Sequence, residues 1–142
     1  MLAFRFRNYY TFSDDLLPYD ALNKLGGSQM SRGYFKGSFL DKHVMGLTAE
    51  YRFSPFSESN SSLWEVWRHF HAAVFLTASQ SFGIDSRFNL SDFNYSAGGG
   101  IRIPITKKQR FSLRLDYAFG LTRGDNDIDL HRGFYVDINE AF

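Results

Sequence analysis

Apolar and polar residues alternate with a period of two in six stretches of this chain. In the first, Leu2, Phe4, Phe6, Tyr10 and Phe12 share one face, while Arg5, Arg7 and Thr11 share the other. The second sets Met45, Leu47, Ala49, Tyr51 and Phe53 against Gly46, Thr48, Glu50 and Arg52. A third runs from about Leu63 to Gln80, with Phe70, Ala72, Val74, Leu76 and Ala78 opposing His69, His71, Thr77 and Ser79. The fourth sets Tyr95, Ala97, Ile101, Ile103 and Ile105 against Asn94, Ser96, Gly98, Gly100 and Arg102. In the fifth, Phe111, Leu113, Leu115, Tyr117 and Phe119 oppose Ser112, Arg114, Asp116 and Ala118. The last places Phe134, Val136, Ile138 and Phe142 opposite Tyr135, Asp137 and Asn139. Such alternation belongs to strands with a different environment on each face. It predicts an all-β fold, an antiparallel up-and-down meander of about six strands. Each strand is near the ~9–11 residues that a tilted strand needs to cross a bilayer.

The connections alternate in length. Pro55 to Ser62 and Thr106 to Gln109 are short and polar, as hairpin turns are. Asp14 to His43, Ser81 to Asp92 and Thr122 to His131 are longer. Tight turns on one side and extended loops on the other are the pattern of outer-membrane barrels. A loop of about thirty residues is uncommon in a compact soluble domain and is usually functional or disordered.

Alternation alone leaves open which face points outward, because a soluble ligand-binding barrel also alternates, with its apolar side chains inward. The polar face decides the matter. A soluble outer face carries Lys and Glu, but here it carries Gly, Ser, Thr, His, Arg and Asp, with Lys confined to loops and turns. Tyr9, Tyr10, Tyr51, Trp64, Trp67 and Tyr117 are placed toward strand ends, as an interfacial girdle requires. The sequence given finishes on Ala141-Phe142 at the end of a strand. If the sheet crosses a membrane, turning Arg52, Arg102 and Arg114 toward lipid would cost about 6–12 kcal/mol at the midplane. The apolar face is therefore expected to meet lipid and the polar face a wet lumen.

Composition narrows the function classes. A net charge of +1 without a Lys/Arg-rich run argues against nucleic acid as a partner. No Cys is present, which excludes a disulfide framework and a zinc–cysteine site. The 18% aromatic fraction favours strands over helices. No apolar run reaches the ~18–20 residues of a membrane-spanning helix. The first residues lack the order of a signal peptide, so the expectation is a removed leader or a chain that starts partway through a longer protein.

The long polar interval holds Gly26-Gly27-Ser28-Gln29-Met30-Ser31-Arg32-Gly33-Tyr34, followed by Leu47-Thr48-Ala49-Glu50-Tyr51-Arg52-Phe53 and later by Leu113-Arg114-Leu115-Asp116-Tyr117. In this order, the set covers almost the whole chain and resembles the BamA-type outer-membrane assembly factors, also called bacterial surface antigens. The resemblance implies that 1–142 is the C-terminal portion of a transmembrane β-barrel, with a loop at about 13–43 folded into its lumen. It implies that Arg32, flanked by Gly33 and Tyr34, reaches Glu50 on the inner wall; arginine's planar fork suits a carboxylate in such a place. The family usually has a second acid where this chain has Thr77, a glycine where it has Ser79, and an aliphatic residue where it has Ser31. Asp116 matches a family position in the penultimate strand and faces inward.

The implied function is assembly, insertion or translocation of proteins at the bacterial outer membrane, with lipid and unfolded outer-membrane proteins as partners. The last strand, with Phe134, Val136, Ile138 and Phe142, would form one side of a lateral seam where an incoming strand pairs by β-augmentation. About six strands fall short of the eight that close the smallest bacterial barrel. The chain is therefore expected to be a fragment, or to need further strands and the periplasmic docking domains of a longer protein. A two-partner-secretion pore, a porin-like pore and a soluble ligand-binding barrel are the alternatives.

Other motifs carry less. His69 and His71 share a strand face, but the sequence places no third metal ligand with them. Asp125-Asn126-Asp127-Ile128-Asp129 begins like a calcium loop, yet Leu130 stands where Gly is needed and Val136 where the bidentate Glu belongs. Gly98-Gly99-Gly100 lies inside a strand and opens no helix, so it reads as a thinning or bend of the wall rather than a phosphate cradle. No catalytic spacing is present. No enzyme, cofactor or metal is expected.

Overall fold

The computed structural model describes residues 1–12, 17–54, 70–84, 87–104, 111–123 and 128–140. Eight strands are formed: β1 (Leu2–Tyr10), β2 (Asn23–Leu25), β3 (Phe39–Asp41), β4 (His43–Phe53), β5 (His71–Phe82), β6 (Asn94–Pro104), β7 (Phe111–Arg123) and β8 (Ile128–Glu140). Six of them build one antiparallel sheet in the order β1-β4-β5-β6-β7-β8. The all-β meander read from the alternation is the observed fold, with β1 and β8 at its two open edges. The long strands span 9 to 13 residues.

Every strand presents its polar row to one side, where the long loop covers it, and its apolar row to the other. Asp116 is 0% exposed, Arg114 4% and Glu50 6%, whereas Phe4 is 71%, Leu76 65% and Phe134 65% exposed. This is the reverse of a water-soluble sandwich or barrel. Burying one large apolar side chain is worth about 1.5–3 kcal/mol, so a whole row left in water would forgo many times that. A patch this broad marks a face that meets another protein or a membrane.

The conventional hydrophobic core is small. Leu25, Met30 and Val44 are buried together with Phe39 packed against them, beneath the loop rather than between two layers.

The loop between β1 and β4 is more ordered than the sequence suggested. β2 and β3 pair as a short hairpin, Asn23 opposite Asp41 and Leu25 opposite Phe39, and Gly27–Met30 form one helical turn, α1. Three-residue strands are too short for alternation to reveal them. Asn23 Nδ2 donates to Lys42 O at 2.6 Å and to Thr11 Oγ1 at 2.9 Å, fixing the base of the loop. Asp41 Oδ1 accepts the backbone N–H groups of Lys42 at 2.7 Å and Ile84 at 2.8 Å, tying it to the next long connection. At the loop's neck, Gly26 takes a φ of 109°, and a Cβ there would run into the carbonyl of Phe35.

Three expectations are revised. The third strand begins at His71; the stretch 55–69, with His69, Trp64 and Trp67, lies outside the described residues. The last hairpin continues in register to Arg123 opposite Ile128. Its connection is therefore 124–127 rather than Thr122 to His131, because Asp129 and His131 extend the ladder despite being polar on an inward row. Tyr117 pairs with Phe134 in the middle of β7, so it is no strand-end girdle residue. Ile105, the turn at 106–109 and Phe142 also fall outside the described residues.

Candidate functional site

The concave face is organised around Arg32, which the loop delivers onto the sheet. Its Nη1 lies 2.9 Å from Glu50 Oε2 on β4 and 2.9 Å from Asp116 Oδ2 on β7. Its guanidinium also stacks 3.4 Å above the ring centroid of Phe75 on β5, a cation–π contact. Both carboxylates serve other arginines. Glu50 Oε1 accepts from Arg52 Nε at 2.7 Å and Arg102 Nη2 at 3.2 Å. Asp116 accepts from Arg102 Nη1 and is ion-paired with Arg114, whose Nε lies 3.1 Å away without making a hydrogen bond. Arg114 also lies 3.8 Å from Asp137.

Four guanidiniums thus converge on two carboxylates. Withdrawing such charges from water costs several kcal/mol per ion, and only good geometry with saturated hydrogen bonding offsets it. Each acid here holds three guanidiniums, so the carboxylates are well satisfied and the surplus is cationic.

The two residues after Arg32 lock the loop. Gly33 has a φ of 105°, and a Cβ on it would lie 2.8 Å from the backbone of Phe119 and Gly120 on β7. Its N–H donates to Tyr135 Oη at 2.9 Å, and Tyr135 in turn donates to Tyr34 O at 2.8 Å. The Tyr34 hydroxyl donates to Leu121 O at 2.7 Å, with Tyr95 O sharing the bond at 2.9 Å. Its ring lies over Gly120, where any Cβ would enter it at 2.6 Å. Farther along, Ser28 Oγ and Gln29 Nε2 both donate to Asp137 Oδ2, at 3.2 and 3.0 Å, and Arg114 Nη2 donates to Ser28 O at 2.9 Å. The loop therefore bridges β4 to β8 across the sheet.

The sheet makes room for these side chains with glycines. Phe75 lies over Gly98 and the Asp116 carboxylate over Gly100, so that a Cβ at either position would collide with them. Gly98 and Gly100 thus receive specific neighbours, which is a sharper role than the thinning or bend expected of the glycine run. Gly46 admits the Met30 carbonyl in the same way, 3.2 Å from where a Cβ would sit.

Arg32, Gly33, Tyr34, Glu50 and Asp116 are brought together as one network. Thr77 is buried beside it and pairs with Thr48, Oγ1 to Oγ1, at 3.0 Å. The second carboxylate of the network comes from Asp116 on β7, two strands further along. Ser31 and Ser79 bond each other, Ser79 Oγ donating to Ser31 Oγ at 2.9 Å, so two small polar residues meet in a fully buried spot. Phe134, Val136 and Ile138 sit apart, on the exposed outer face of the edge strand β8. His71 Nδ1 lies 2.7 Å from Ser54 Oγ. Arg102, Arg114, Tyr135, Asp137 and Phe75 were not singled out from sequence. Their inward parity was the available signal, but parity does not say which inward residues the loop will reach.

No protein-family model, curated protein or solved structure matches this chain.

Proposed function

We propose that this chain is a section of wall from an outer-membrane β-barrel of the BamA type, working in the insertion or translocation of proteins at the bacterial outer membrane. The observation that carries this reading is the inward loop whose Arg-Gly-Tyr segment is pinned to the concave face by Glu50 and Asp116. The exposed apolar face adds support, since a lipid-facing surface must be apolar while the lumen tolerates charge. Among the described residues, Arg132 is a charged exception on the outer row, opposite Phe119. Its long side chain can extend along the wall toward the headgroup level.

Open edges at β1 and β8 have no place in lipid, where unpaired backbone groups find no water. The reading therefore calls for further strands beside both, and for the docking domains of an assembly factor. Outer-membrane lipid and unfolded barrel proteins are the proposed partners, with β8 and its Phe134, Val136 and Ile138 on one side of the seam.

The test uses lipid vesicles carrying the complete barrel that contains this chain. A urea-unfolded outer-membrane protein is added and its folding followed by gel mobility. Folding should be faster than in empty vesicles and should slow with Arg32→Ala. No acceleration, combined with steady ion conductance, would replace the assembly role with a passive pore.

A further inference from the structure

We propose that the concave face holds an anion-binding site between β1 and the pinned loop, suited to a small molecule or headgroup bearing a phosphoryl group. A cavity of about 530 Å³ opens there, lined by Arg5, Arg7, Arg32, Thr48, Glu50 and Arg52 among others. Among the described lining residues, four guanidiniums face one carboxylate. That carboxylate is already committed, because Glu50 takes Arg32 at 2.9 Å and Arg52 at 2.7 Å.

The register explains the clustering. Arg5 stands opposite Thr48 and Arg7 opposite Gly46, so both arginines rise from β1 beside the Glu50 end of the network. Arg7 Nη1 donates to Gln29 O at 3.2 Å, which steadies one guanidinium while leaving its other donors to the cavity. A surplus of positive charge in a partly enclosed space attracts anions strongly, and the guanidinium fork matches phosphate oxygens in pairs. The volume lies in the range of small-molecule pockets and exceeds what a bare phosphate needs. This site requires only the fold and the arginine cluster, whatever the barrel does.

The experiment is isothermal titration of the detergent-solubilised complete barrel that contains this chain with inorganic pyrophosphate at low salt. Saturable binding is expected, weakened about tenfold or more for each charged hydrogen bond removed in Arg5→Gln and Arg7→Gln. Arg87→Gln, at an exposed loop position, should leave it unchanged. Circular dichroism of each variant separates lost binding from lost folding. Micelles doped with phosphatidylglycerol form a second arm: competition with pyrophosphate identifies a lipid headgroup as the source, and its absence a free solute. Absence of saturable binding would overturn the site. So would binding undiminished in a folded Arg5→Gln/Arg7→Gln double variant, or equal displacement by chloride at matched ionic strength.

Discussion

Replacing Asp116 with Asn should cost more stability than removing Arg32, although the two residues form one ion pair. Asp116 is completely buried, accepts hydrogen bonds from Arg32 and Arg102, and is ion-paired with Arg114. Asn keeps the shape but loses the charge and points an amide donor at cations. Glu50 would then be the shared counter-charge for Arg32, Arg52 and Arg102, with Arg114 left to Asp137 at 3.8 Å. Stranding buried charge in this way costs about 3–5 kcal/mol. In Arg32→Met neither acid is stranded, because Glu50 keeps Arg52 and Arg102 while Asp116 keeps Arg102 and Arg114. The loss reduces to one guanidinium's charged hydrogen bonds, about 1.5–3 kcal/mol, and relieved repulsion among the remaining arginines lowers it further. Urea unfolding in detergent, followed by circular dichroism, should rank Asp116→Asn below Arg32→Met. Trypsin at the exposed Lys24 and Lys36 reads the loop itself, and both variants should be cut faster. A loss of 3 kcal/mol confined to the loop would raise its open population about 150-fold. An Arg32→Met variant at least as destabilised as Asp116→Asn, or one cut no faster than the parent, would refute the picture of two acids rationed among four arginines.

The glycine contacts and the serine pair give further tests. Gly120→Ala should release the loop by driving a methyl into the Tyr34 ring, and it should be tolerated in a Tyr34→Ala background; a double-mutant cycle by urea unfolding should show about 0.5–3 kcal/mol of coupling. Ser31→Ala should cost about 1 kcal/mol by leaving Ser79 Oγ only its long bond to Asn94 O at 3.4 Å, and adding Ser79→Ala should recover part of that loss in the same assay, because both hydroxyls then go together. Additive losses would mean the two serines act separately.

Much of the fold was legible because the side-chain period of a strand is two and each face meets a different medium. Glu50, Arg102 and Asp116 were assigned inward by parity alone, and burial agrees. The Arg32–Glu50 pair was legible from the loop motif and the glutamate strand together. Asp116 was legible as an inward member of the network, but its direct pairing with Arg32 was not. Its approach to Arg32 depends on sheet curvature and on Gly100, which clears the space its carboxylate occupies. The backbone contact of Gly33 with Gly120, residues far apart in sequence, is equally invisible to local pattern. The loop's internal order escaped because β2, β3 and α1 are three or four residues each, held by Asn23 and Asp41 rather than by propensity.

The central claim is that the apolar row faces hydrocarbon while the arginines and acids face water. The chain contains no cysteine, so single cysteines can be introduced along β1 without interference. Nitroxide labels at Ala3, Phe4, Phe6 and Arg7, in the barrel reconstituted in lipid bilayers, report collisions with lipid-soluble oxygen and with a water-soluble nickel chelate. Oxygen should dominate at Phe4 and Phe6 and nickel at Ala3 and Arg7, alternating residue by residue. Nickel reaching Phe4 and Phe6 as readily as Ala3 and Arg7 would contradict the claim.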